Sequence, residues 1–188
     1  MSTEENKTKP VTQTQTAPAK KEPDLPKFEK DLSDKIVTKF GADTEISFVK
    51  PNRVRINVKK EKIIDVATFI RDELNFDHAE SVTGVDFPNE KEIEVVYHLG
   101  SYTDPQLNKQ ILSLATRVPR EDTPNPGKDS TKLQSLREIF YSVEFHEREC
   151  FEMLGVYFDG HPDNRRLLLP EDWADIPPMR KDFGIKGR

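Results

Sequence analysis

The residues best equipped for chemistry stand close together: His146, Glu147, Arg148, Glu149, Cys150 and Glu152, with His161 a little further on. On a helix, His146 and Cys150 would project from one face, and Glu149 and His161 would extend the set towards a metal site. Cys150 is the only cysteine of the chain. A nucleophilic role for it would need a depressed thiol pKa, with His146 or Arg148 alongside. Glu147 paired with Glu149 or Glu152 could do acid–base work. The opposing reading is an amphipathic helix in which Cys150, Phe151 and Leu154 enter the core while the charged residues form ion pairs outside. A stand-alone metal- or thiol-dependent enzyme built on His146, Cys150 and His161 is thus one reading, and a structural helix the other.

A second group follows. Arg165-Arg166 and Arg180-Lys181 are basic pairs set among Asp163, Glu171, Asp172 and Asp182. Such interleaving favours bidentate arginine–carboxylate pairing, within the chain or with another, over capture of a phosphate. Pro162, Pro170, Pro177 and Pro178 exclude a long helix here. Leu167-Leu168-Leu169, Trp173, Met179 and Phe183 are nevertheless too apolar for a solvated linker. Residues 157–188 therefore read as an extended segment whose anchors lie along a partner, with Trp173 suited either to an interface or to the domain's own core.

The elements that must position these groups follow from periodicity. Phe28, Leu32, Ile36 and Phe40 recur at helical spacing and end at Gly41. Ile46 and Phe48, then Val54, Ile56 and Val58, alternate with polar residues around Pro51-Asn52, which predicts a hairpin. Ile63, Val66, Ala67, Ile70 and Leu74 mark a second helix. Strands are predicted over 78–87, 92–99 and 111–118, and helices over 133–139 and 143–154. This order gives an α+β domain over 28–156, with helices on one face of a mostly antiparallel sheet. Residues 1–27, rich in Thr, Gln, Lys and Pro, read as a disordered N-terminal arm.

The bulk numbers exclude several classes. The chain has 188 residues and a net charge of −5, so it lacks the global basic field that would draw it onto nucleic acid. No apolar run reaches the length of a membrane span, and membrane contact is expected only through partners. There is no glycine-rich phosphate loop and no CxxC pair, so nucleotide and iron–sulfur binding lack a signature.

Together, Glu147-Arg148-Glu149, Glu152 to Val156, Gly160-His161-Pro162, Arg165 to Leu168 and Arg180 to Phe183 resemble the signature of one family. It is the 30-kDa subunit family of respiratory complex I and the related membrane-bound hydrogenases. Arg117 to Glu121 extends the likeness, which covers about 28–183. Two departures favour the hydrogenase and sulfur-reductase branch: Glu152 stands where the family usually has Asp, and Ile176-Pro177-Pro178-Met179 lacks the histidine of quinone-reducing members. The resemblance implies a non-catalytic structural and assembly subunit on the hydrophilic arm of an ion-translocating oxidoreductase. The subunit would be peripheral, on the cytoplasmic side of the cell membrane. It further implies no cofactor in this chain, with iron–sulfur clusters, or these together with nickel–iron, held by partner subunits. The implied partners are a hydrogenase-like large subunit, iron–sulfur subunits and membrane subunits. The docking residues it points to are Glu147, Arg148, Glu149, Phe151, His161, Arg165, Arg166, Trp173, Met179, Arg180, Lys181, Asp182 and Phe183.

Overall fold

The structure, a computed structural model, describes residues 26–173 and 177–184. Nearly all of the expected N-terminal arm, and Ile176 with it, lie outside the described residues. The elements run α1 (Lys27–Phe40), β1 (Thr44–Lys50), β2 (Arg53–Val58), α2 (Ile63–Leu74), β3 (His78–Phe87), β4 (Glu92–Gly100), β5 (Ile111–Pro119), β6 (Lys132–Gln134), α3 (Glu144–Leu154) and β7 (Tyr157–Asp159). This is the α+β class that the periodicities predict.

Five strands form one sheet in the order β1-β2-β5-β4-β3. Every neighbouring pair is antiparallel except β2 with β5, which run parallel. Register aligns Ile56 with Leu114, Leu114 with Tyr97, and Tyr97 with Val82. Because side chains alternate across a strand, this row lies on one face. It forms a single core with Leu32 and Ile36 of α1, Ile63, Val66, Ala67 and Ile70 of α2, and Cys150 and Leu154 of α3. All three helices therefore cover the same face.

α3 sits unusually close to β3. Gly84 has no side chain, and a Cβ there would meet Leu154 Cδ1 at 2.0 Å, with Cys150 Sγ at 3.8 Å. The helix ends at Gly155, whose φ of 82° suits glycine. Asn75 closes α2 in the same left-handed region.

The helix expected over 133–139 is not formed. Leu133, Leu136 and Phe140 are buried, and their spacing imitates a helix stripe. Leu133 instead belongs to β6, which pairs in parallel with β7 across Leu133 and Phe158. A turn follows in which the Phe140 N–H reaches the Leu136 carbonyl. β7 lies inside the segment expected to be extended, so the chain stays in the domain as far as Asp159 before the proline-rich run begins.

Candidate functional site

α3 organises everything around it, and three of its charged side chains point at other parts of the chain rather than at water. Glu147, in its first turn, has no exposed surface. Its carboxylate accepts hydrogen bonds from Tyr97 Oη at 2.9 Å, Ser135 Oγ at 2.5 Å and the Leu136 amide at 2.9 Å. The group thus ties α3 to β4 and to the turn after β6. Burial is the largest influence on it and raises its pKa above the usual carboxylate value, against the opposing effect of these donors. Tyr97, wholly buried, is pushed well above the ordinary phenol range by burial and by the neighbouring carboxylate.

His161 closes the other side of this cluster. Its Nδ1 accepts the Asp163 amide at 3.0 Å, so the ring proton sits on Nε2 and is donated to the Glu144 carbonyl, also at 3.0 Å. Glu147 Oε2 is 4.0 Å from that Nε2.

Arg148 and Glu152, one turn apart on α3, hold the backbone of the proline-rich segment. Arg148 donates to the carbonyls of Arg165 at 3.1 Å and Arg166 at 2.8 Å. Glu152 accepts the amides of Leu167 (3.3 Å), Leu168 (2.8 Å) and Leu169 (2.8 Å). Further along, the Met179 amide reaches the Met153 carbonyl at 3.0 Å. Arg180 donates to the Leu154 carbonyl at 2.7 Å and the Glu121 carbonyl at 2.5 Å. The Lys181 amide donates to Asp86 at 2.8 Å. Asp86 in turn pairs with Arg120 at 2.6 Å, and both side chains are almost fully buried. Arg120 also reaches Asp182 at 2.6 Å.

With its backbone held this way, the segment turns apolar side chains outward. Leu167, Leu168 and Met179 are 37, 60 and 59% exposed. Trp173 and Phe183, each half-buried, stack with centroids 6.1 Å apart. Lys181 Nζ lies over the Phe87 ring, and Arg165 pairs with Asp163 at 2.9 Å.

The residues expected at a partner surface therefore separate. Arg165, Met179, Lys181 and Asp182 are exposed, as is Glu149. Arg148, Arg166, Trp173 and Phe183 are half-buried, as is Phe151, which packs edge-on against Tyr157. Glu147, His161 and Arg180 are buried and act inside the chain, because their polar atoms serve α3, the β6 turn and Glu121.

The expectation that the charged residues of α3 pair outside is corrected for Glu147 and Glu152, both of which are buried. One signal for Glu147 lay in the sequence: it stands three and seven residues before Cys150 and Leu154, on the same helix stripe. Asp86 follows Val82 and Gly84 in the inward phase of β3, a signal of the same kind for a residue that residue type alone does not single out.

His146, Cys150 and His161 do not converge. His146 Nδ1 lies 3.1 Å from the Ser142 carbonyl, while His161 is engaged as above. Cys150 Sγ faces the Val82 carbonyl at 4.0 Å. Burial pushes the Cys150 thiol up to about 12, helped by the nearby Glu149 and Glu147 carboxylates. Among the described residues, no group of three His, Cys, Asp or Glu side chains could hold a metal ion. The native chain is expected to resist a thiol reagent such as DTNB at pH 7.5 and to react at once when unfolded. Rapid labelling of the folded chain would contradict the buried placement.

Residues 56–188 match the family described as "Respiratory-chain NADH dehydrogenase, 30 Kd subunit". A subunit of the F(420)H(2) dehydrogenase of Methanosarcina mazei is 36% identical over 142 residues, covering 76% of this chain and 82% of that one. A subunit of the NADH-quinone oxidoreductase of Roseiflexus sp. (strain RS-1) is 42% identical over 133 residues, 69% of each chain. A chain in the structure of the membrane-bound sulfane sulfur reductase, an archaeal respiratory membrane complex, superposes with a TM-score of 0.70 at 27% identity, covering 84% of this chain and 86% of that one. The protein belongs to the 30-kDa subunit family of respiratory-chain NADH dehydrogenase.

Proposed function

We propose that the chain is a non-catalytic docking subunit on the hydrophilic arm of a membrane-bound, ion-translocating oxidoreductase. Through residues 163–173 and 177–184 it seats on a hydrogenase-like large subunit while electrons pass through iron–sulfur clusters in partner subunits. Membership of the family supports the coarser part, a subunit of a respiratory-type complex. No helix among the described residues is long and apolar enough to cross a membrane, so contact with the bilayer would come through partners, on its cytoplasmic side.

One observation carries the docking reading. The main chain at residues 165–169, Met179 and Lys181 is hydrogen-bonded to the rest of the domain, yet Leu168 and Met179 are more than half exposed. Exposed apolar groups on an ordered backbone are what a partner surface would bury. The contact set is accordingly Leu167, Leu168, Trp173, Met179 and Phe183, with Arg165, Lys181 and Asp182 as polar neighbours. We take the large subunit as the occupant because the resemblance implies a C-terminal segment that runs along it.

Truncating the chain at Leu167 would be a poor test, since it would also strip Glu152 of its three amide partners and Asp86 of the Lys181 amide. Leu168→Glu and Met179→Glu are cleaner. Each is expected to leave stability within about 1 kcal/mol of the parent, as surface substitutions do. Each is also expected to reduce co-purification with the large subunit at least tenfold when the tagged chain is expressed in its native host. Normal recovery of the large subunit by both variants would refute the docking reading.

A further inference from the structure

The last turn of a helix is a poor place for a carboxylate, because the negative end of the helix dipole opposes it. α3 has no basic residue in that turn, yet Glu152 sits there with only 7% of its surface exposed. What offsets both costs is the row of amides it accepts, from Leu167, Leu168 and Leu169 in succession. Arg148, four residues earlier, serves the carbonyls of the two preceding residues. Two side chains on one helix face thereby satisfy both kinds of backbone group over residues 165–169, and the leucine side chains are left to face outward.

The same turn of α3 sets the second half of the segment. The Met153 carbonyl takes the Met179 amide, and the Leu154 carbonyl takes Arg180. Leu168 and Met179, eleven positions apart in sequence, are thus placed relative to one another by three consecutive residues of α3. A segment that gained its order only from a partner would leave such backbone groups for the partner to satisfy.

We infer that the docking surface is already formed on the free chain, and that Glu152 is the positioning residue that forms it. This rests on the docking reading above. Its consequence is kinetic. If only a fraction of molecules hold the segment in place, the apparent affinity falls by that fraction. The loss appears in the association rate, while dissociation, governed by unchanged contacts, stays the same. A clasp lost in nine molecules of ten would slow association about tenfold.

The test uses the full chain in three forms: parent, Glu152→Gln and Glu152→Ala. Hydrogen exchange of the free chain is expected to show the amides of residues 167–169 protected in the parent and near unprotected rates in Glu152→Ala. Glu152→Gln, which keeps one acceptor oxygen, should fall between. Undiminished protection in the sheet of each variant shows that the domain is folded. Association with complex purified from a strain lacking this chain should slow in the same order, with dissociation unchanged. Unprotected amides in the free parent would overturn the inference, as would an association rate indifferent to Glu152. The docking reading fails separately, through normal co-purification of Leu168→Glu and Met179→Glu, in which undiminished protection of the amides of residues 167–169 shows that the clasp is kept.

Discussion

Asp86→Ala is expected to destabilise the domain by about 3–5 kcal/mol, the usual cost of removing one partner of a buried ion pair. The Arg120 and Asp86 side chains are 2 and 1% exposed, and they meet at 2.6 Å. Without Asp86, the carboxylates left to Arg120 among the described residues are Asp122 and Asp182, whose side chains are 76 and 58% exposed. Neither can compensate a buried guanidinium as a buried carboxylate does. The Lys181 amide would lose its acceptor in the same step, so the C-terminal segment should loosen as the sheet weakens. Urea denaturation at neutral pH measures the first effect, and limited trypsin cleavage near Lys181 measures the second.

Asp122→Ala supplies the control: an exposed partner of the same arginine should cost no more than about 1 kcal/mol. Asp86→Ala combined with Arg120→Met should recover part of the loss, since no uncompensated charge then remains buried. A parental midpoint for Asp86→Ala would mean that water reaches Arg120 and that the pair is not buried as its geometry indicates.

Sequence periodicity went furthest where the chain's own neighbours decide the outcome. α1 and α2 follow from apolar spacing of three and four, and β4 from the alternation of Ile93, Val95 and Tyr97. Those patterns report local geometry: burial follows the predicted stripe in α2, whereas Phe28 of α1 is 44% exposed and Glu94 and Val96, on the other face of β4, are buried as well. Over 133–139 the same logic misleads. Leu133, Leu136 and Phe140 have helical spacing, but Leu133 is claimed by Phe158 across a parallel pair, and the Leu136 amide by Glu147. Non-local partners overrode a local preference. The parallel pairing of β2 with β5 is equally silent in the sequence, because its register joins Arg53 to Ile111 with two strands and a helix between them.

Legibility of the site divides along the same line. The apolar character of Leu167 to Leu169, Trp173, Met179 and Phe183 was plain from residue type alone. The acids that organise them were not, since charge density on a helix ordinarily indicates a solvated face. Glu152 finds its acceptor role with amides that lie fifteen or more residues away, and Glu147 finds Tyr97 fifty residues upstream. Only their positions hinted at this: Glu147 on the stripe of Cys150 and Leu154, and Glu152 in a helix turn where an acid is unfavourable.

Glu147 provides the sharpest contrast between removing a group and changing its charge. Glu147→Ala would leave the Tyr97 hydroxyl, the Ser135 hydroxyl and the Leu136 amide without their acceptor. At about 1–3 kcal/mol for each unsatisfied buried group, and with some relaxation, a loss of about 3–5 kcal/mol is expected. Glu147→Gln keeps an oxygen for Tyr97 and Leu136 and turns its amide towards Ser135 Oγ, which can accept. Its loss should stay within about 1 kcal/mol at neutral pH. The pH dependence separates the two further. The folded-state pKa of Glu147 is raised, chiefly by burial, so the native state binds the proton more tightly than the unfolded chain does. The stability linked to this proton is fully present below the unfolded value and is lost as pH rises through the folded one. The stability of the parent relative to Glu147→Gln should therefore rise as pH falls from neutrality towards the ordinary carboxylate range. Paired urea titrations across that interval measure it. A relative stability that falls instead would mean that Glu147 is held as a stabilised anion, with its three donors outweighing burial.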